Sequence, residues 1–157
     1  MTAARHIGQQ TAVSIAINMA LSALFFLLLF GGQEFVPVWG VRGLAADFVP
    51  QSFMIALMSV LMPGLATERK LRAAQIAPFT YRTRLPRHPG LRALILAVPA
   101  ALAGGAAMAA LLSLADVDGI AWAPALVFKI AYGGLLGGIV TPIGLRPALA
   151  RRDTAKA

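Results

Sequence analysis

Four apolar stretches, at about residues 11–30, 47–66, 92–115 and 123–145, dominate what this chain can fold into. A helix rises about 1.5 Å per residue, so about 20 residues cover a hydrocarbon core of about 30 Å. In hydrocarbon every backbone N–H and C=O needs a partner within the chain, so stretches of this kind insert as helices. The expected fold is all-α: an integral membrane four-helix bundle of two hairpins, a single membrane domain over residues 1–157. Composition agrees. Hydrophobic residues make up 59% and charged residues 13%, whereas roughly a quarter of an average soluble domain is charged.

The fourteen Lys and Arg residues are distributed unevenly. All but Arg42 and Lys129 fall in the N-terminal segment, in the basic loop 67–91 with Arg92 at its edge, or in the tail 146–157. An excess of Lys and Arg marks cytoplasmic segments, so both termini and the long loop are expected in the cytoplasm, N-in and C-in. The net charge of +8 then reads as a basic loop lying against anionic headgroups of the lipid bilayer. The arginines of that loop, with Phe79 and Tyr81 among them, also suit nucleic acid, but the headgroup reading is favoured and no nucleic acid is expected. Composition rich in Ala, Gly and Arg fits a bacterial protein of the inner membrane.

Ser14, Asn18 and Ser22 stand at i, i+4 and i+8 of the first stretch, on one helical face. An amide is costly in hydrocarbon unless bonded, so this stripe is expected to meet other helices, with Ser59 at a depth matching Asn18. A cleaved signal peptide is the rival reading of the stretch. The length of the stretch, the single firm charge at Arg5 and the polar stripe all oppose it. Residues 31–46 read as a loop along the membrane surface, with Phe35 and Trp39 as interfacial rings. Asp47 reads as the N-cap of the second helix, with Pro50 in its first turn. Met54, Met58 and Met62 form a stripe better read as packing than as a metal-binding row.

Ala101, Gly105 and Ala109 recur every fourth residue of the third stretch, as do Ala100 and Gly104. The fourth stretch answers with Gly133, Gly134, Gly137 and Gly138. Small residues at this spacing let two backbones approach, so the third and fourth helices are expected to pack on each other. Each hairpin ends alike, in Pro63-Gly64-Leu65 and Pro142-Ile143-Gly144-Leu145, which a parallel duplication produces, as does the ending of each helix before a basic cytoplasmic segment.

Lys129 is the one charge well inside an apolar stretch, about 10 Å below the level marked by Trp122. Asp47 and Gln51, at matching depth, are its expected companions. Tyr132 lies one turn below it and reads as a packing residue with a satisfied hydroxyl. Snorkelling to the surface is a second reading of the lysine. A third is recognition of an anionic ligand, with Gly133, Gly137 and Thr141 lining a narrow path. The tentative polar cluster is therefore Lys129, Asp47, Gln51 and Tyr132.

Several chemistries are disfavoured. With no cysteine, disulfides, thiol redox and the quinone-linked thiol oxidoreductases drop out. His6 and His88 fall outside the apolar stretches, which speaks against haem held by histidine pairs. No carboxylate lies deep in a stretch, as small proton-coupled drug exporters require. The GG-x-x-GG of the fourth stretch has no preceding strand and is no nucleotide fingerprint. No catalytic residues, metal or cofactor are expected. The reading is a non-enzymatic structural, accessory or assembly subunit, a homo-oligomer or part of a larger membrane complex. The alternative is a small transporter or channel-like protein for an anionic or amphipathic solute centred on Lys129. An enzyme acting on lipid ranks third.

Overall fold

The computed structural model describes residues 2–77, 85–86 and 88–150. Four helices, α1 (Ala3–Phe30), α2 (Leu44–Arg72), α3 (Pro89–Leu114) and α4 (Trp122–Leu149), are each long and apolar enough to cross a membrane. Two short strands, β1 (Phe35–Pro37) and β2 (Gly119–Ala121), join them.

Every helix starts before its apolar stretch. Thr2 caps α1, its hydroxyl accepting from Arg5 N at 3.4 Å, so Arg5 and His6 lie inside the helix. His88 caps α3 through Nδ1, which accepts from Leu91 N at 3.3 Å, and Pro89 follows at the first helical position, where its missing N–H costs nothing. The expected N-cap at Asp47 is wrong. Helix α2 begins at Leu44 after Gly43, because Ala45 N finds Val38 O at 3.0 Å. Asp47 therefore lies in the first turn with its side chain free for another helix, and Pro50 falls a turn deeper than expected. At 26 to 29 residues the helices reach about 40 Å, longer than a hydrocarbon core of about 30 Å.

Residues 31–46 are not all loop. Strand β1 pairs antiparallel with β2, Val36 opposite Ile120. Val38 N donates to Asp118 O at 2.9 Å and Trp122 N to Glu34 O at 3.0 Å. The indole Nε1 of Trp122 donates to Phe30 O at 3.0 Å, and its ring lies 5.7 Å from that of Phe26. The strands thus tie the two loops together at one end of the bundle, over a core of Phe26, Phe30, Val36, Val38, Leu44 and Phe48. The opposite half has a smaller-residue core of Ala56, Val60, Ala93, Ala97 and Val140.

The helix partners differ from expectation. Helix α4 lies along α1 and α3 along α2, with α2 and α4 meeting at the centre, while α3 and α4 touch little, as do the backbones of α1 and α2. The two hairpins are therefore open, each helix packing mainly across to the other hairpin or to the centre. Exchanging the halves α1–β1–α2 and α3–β2–α4 turns each major contact into another, the pattern expected of a parallel duplication. The Met54–Met58–Met62 stripe does not pack inside; Met54 and Met62 are exposed and Met58 half-exposed. Of the basic loop, residues 78–84 and 87 lie outside the described residues, as does the tail beyond residue 150; the expectations placed on Phe79, Tyr81, Arg82, Arg84 and Arg87 lie there.

Candidate functional site

The polar residues of α1 keep a four-residue rhythm, and the structure extends it. His6, Ser14, Asn18 and Ser22 are all buried and continue into Phe26 and Phe30. The polar stripe does face other helices, as its spacing predicts.

Its contacts form a ladder of separate levels down the bundle. At the strand end, the Lys129 ammonium of α4 sits on the Asp47 carboxylate of α2. Lys129 is 1% exposed and the Asp47 side chain 18%, so the lysine does not snorkel and the pair stays near the water through its carboxylate. The ammonium also lies 4.4 Å from the centroid of the Phe48 ring, a cation–π contact in a dry site. Phe48 is held edge-on by Phe128 and Tyr132, at 5.6 and 4.8 Å between ring centroids.

Below it, Tyr132 Oη and Ser52 Oγ are 2.5 Å apart, and Ser52 donates to Phe48 O at 2.5 Å. The tyrosine hydroxyl then donates to Ser52 and is satisfied, as expected of a packing residue. Gln51 is not a partner of Lys129 among the described contacts: its Nε2 donates to Ser22 Oγ at 2.9 Å, leaving its Oε1 buried without a partner. Gln51 and Lys129 approach the same depth, but Gln51 leaves α2 on the side that faces α1.

The middle level joins three helices. Asn18 Nδ2 reaches Ser59 Oγ at 2.9 Å and Ser14 O at 2.8 Å. Ser14 Oγ donates to Ser59 Oγ at 3.1 Å, and Thr141 Oγ1 lies 2.7 Å from Ser14 Oγ. At the far end, His6 Nε2 meets Thr67 Oγ1 at 2.8 Å, and Thr67 donates to Pro63 O at 2.7 Å. His6 falls outside the apolar stretches in the sequence; its place two steps back on the Ser14 row is the signal that finds it.

The glycines let α1 close over this ladder. A Cβ at Gly133 would overlap Ser22 Oγ and stand 3.0 Å from Asn18 O; one at Gly137 would stand 2.5 Å from Asn18 Nδ2. Gly133 and Gly137 are therefore packing residues, but against α1 and not α3. The path expected along Gly133, Gly137 and Thr141 is filled by α1 side chains. On α3, Ala101 and Gly105 are buried and Ala109 half-buried; a Cβ on Gly105 would strike Val49 of α2. Outside the ladder, an apolar groove of about 410 Å³ lies between α1 and α4, lined by Ile15, Met19, Gly134 and Gly138 among others.

Arg92 is the buried polar residue that sequence reasoning counts only as a loop charge. It is 1% exposed and lies on the row Arg92, Leu96, Ala100, Gly104. Carrying the Ala100–Gly104 row two steps back places it on an inward face.

No group of three or more His, Cys, Asp or Glu that could hold a metal occurs among the described residues. The ladder offers hydroxyls, amides and one ion pair, which bind helices to one another. No family model, curated protein or solved structure matches the chain.

Proposed function

We propose that this chain is a non-enzymatic, multi-pass membrane subunit, with a structural, accessory or assembly role in a larger complex or a homo-oligomer. The observation that carries the reading is the Lys129–Asp47 pair: the one charge deep in an apolar helix is used internally, on α2, under the Phe48 ring. The rungs below it likewise join α1, α2 and α4 to each other. Helix α3 supports the assembly role. It is the least covered of the four, and Ala103, Ala106, Ala107 and Ala110 form an exposed small-residue face on it, the kind of surface that lets another helix approach.

The charge pattern supports an orientation with both termini in the cytoplasm, and the composition rich in Ala, Gly and Arg fits a bacterial inner membrane. Arg5, Arg69, Lys70, Arg72, Arg92 and Arg146 belong to the end where α1 and α3 begin and α2 and α4 finish. The strand end carries Arg42 with Glu34, Asp116 and Asp118. Residues outside the bilayer on the basic side would lie against anionic headgroups.

Cross-linking in native membranes followed by purification tests the role. A defined larger assembly should be recovered, and Lys129→Met should lower its yield. A chain that remains monomeric in its own membrane rejects the assembly reading. Orientation is tested by single cysteines at Val41 and Thr2, which a cysteine-free chain makes clean: only Val41→Cys should react from the periplasm.

The ladder from His6 to Lys129 and the exchange pattern of the halves favour a second reading, a small transporter or channel-like protein for an anionic or amphipathic solute, since repeat interfaces often hold transport sites. It requires solute flux in proteoliposomes that Lys129→Met abolishes while the bundle stays folded.

A further inference from the structure

We propose that Arg92 holds a phosphoryl oxyanion at the basic end of the bundle. The residue is 1% exposed, and its Nε and Nη2 are buried with no hydrogen-bond partner among the described residues. These two N–H groups share one edge of the guanidinium and point the same way. That edge is the fork that receives two oxygens of one phosphate or carboxylate. A guanidinium taken out of water needs a counter-charge. Among the described residues none reaches ion-pair distance of it: the nearest carboxylate, Glu68, one turn along α2 from Gly64, attracts the guanidinium from beyond hydrogen-bond range and lies 3.9 Å from Arg72, and Asp47 is on Lys129.

The surroundings favour an anion from outside. Arg5, Arg69, Lys70, Arg72 and Arg146 belong to the same end, and Glu68 is the one acidic residue described there, so the local field draws negative charge. Gly64 of α2 leaves the fork its space, since a Cβ there would stand 3.0 Å from Nη2. Arg92 is the fourth residue of α3, about 5 Å in from the helix start. In a helix of this length that is the headgroup level, where phosphate is the abundant anion. A phospholipid phosphate and a free phosphate present the same oxygens to such a fork; because both N–H groups are buried, either one enters only as the neighbouring side chains turn aside.

The full-length protein, freed of lipid in detergent, is followed by thermal unfolding while ligand is added. The probes are dioleoylphosphatidylglycerol, inorganic phosphate, and diacylglycerol as a lipid without phosphate. A saturable rise in midpoint with a phosphate-bearing probe, and none with diacylglycerol, is expected. A response to the phospholipid alone identifies a lipid headgroup; an equal response to inorganic phosphate identifies the free ion. Arg92→Lys keeps the charge and loses the fork, and should weaken the response at least about tenfold. Gly64→Ala should weaken it with all charges intact, and the exposed Arg146→Gln should leave it within about twofold, as a rim charge does. Should Arg92→Lys fail to fold, nitrogen–phosphorus dipolar recoupling on arginine-labelled wild-type protein in phosphatidylglycerol bilayers, and again in phosphate-free lipid with inorganic phosphate added, gives the same answer. An arginine Nε protected from solvent exchange should couple to phosphorus in at least one of the two samples. No response to either phosphate, equal responses in wild type and Arg92→Lys, or an uncoupled protected arginine in both samples overturns the proposal.

Discussion

Removing either partner of the Lys129–Asp47 pair should destabilise the bundle, and by unequal amounts. Truncating one partner of a buried pair costs about 3–5 kcal/mol, chiefly because the other charge is left buried and unpaired. Here the partners differ in burial. Asp47→Asn strands an ammonium that is 1% exposed, with only the Phe48 ring 4.4 Å away for compensation, so a cost of about 3–4 kcal/mol is expected. Lys129→Met leaves a carboxylate 18% exposed; it turns to water, and the methionine keeps most of the apolar contact of the lysine stem, so about 1–2 kcal/mol is expected. The double replacement leaves no stranded charge and should cost about 1 kcal/mol, well below the sum of the single changes. Unfolding by dodecyl sulfate in a mild detergent, read by far-ultraviolet circular dichroism, gives all three values. If Lys129→Met costs as much as Asp47→Asn, or if the double variant is additive, unequal burial of the two charges does not set the cost.

Other expectations can be checked in the same assay. Gly133→Ala should cost about 1–3 kcal/mol, because its Cβ meets the fixed backbone oxygen of Asn18 as well as Ser22. Gly138→Ala should cost less, since it meets only the end of the Ile15 side chain at 3.2 Å; equal costs would remove the close α1–α4 approach as the reason for the glycines. Tyr132→Phe should cost only about 1 kcal/mol, because Ser52 keeps its bond to Phe48 O. A loss of several kcal/mol there would mean that Tyr132 serves more than Ser52. Trp122→Phe removes the indole bond to Phe30 O and should also cost about 1 kcal/mol. Its amide exchange protection at Val36 and Ile120 should fall with it, unless the strand pair stands without the indole.

What is legible in the sequence is whatever rests on period and depth. Ser14, Asn18 and Ser22 repeat at four residues, so one helix face has to be polar and inward. Lys129 and Asp47 lie at matching depths along their helices and carry opposite charges, so their meeting is one of the contacts that the order of residues suggests. Choice of partner is not legible in the same way. Glycine spacing on α4 says that another backbone comes close, but an alanine-rich α3 and a serine-bearing α1 fit it equally, and only the Asn18 and Ser22 contacts decide for α1. The strands escape notice because three residues give no alternation, and Pro37 and Gly119 at their ends read as breakers. Depth alone pairs Gln51 with Lys129, yet the direction in which its side chain leaves the helix sends it to Ser22. Arg92 is hidden by its place at the foot of a helix, where arginines usually face water.

The contact of α1 with α4 also sets a condition on how the chain is made. Helix α1 leaves the ribosome before α4, its main partner among the described helices. When synthesis has reached the end of α3, α2 and α3 can already lie together, while α1 has its polar bonds to Ser59, Gln51 and Thr67, the apolar contacts of Phe26 and Phe30 at the strand end, and an open flank where the glycines will come. A chain stopped there would carry a poorly anchored N-terminal helix with amide and hydroxyl groups near lipid, the kind of segment that membrane proteases extract. Removing α4 should therefore loosen α1, although the two lie at opposite ends of the described chain.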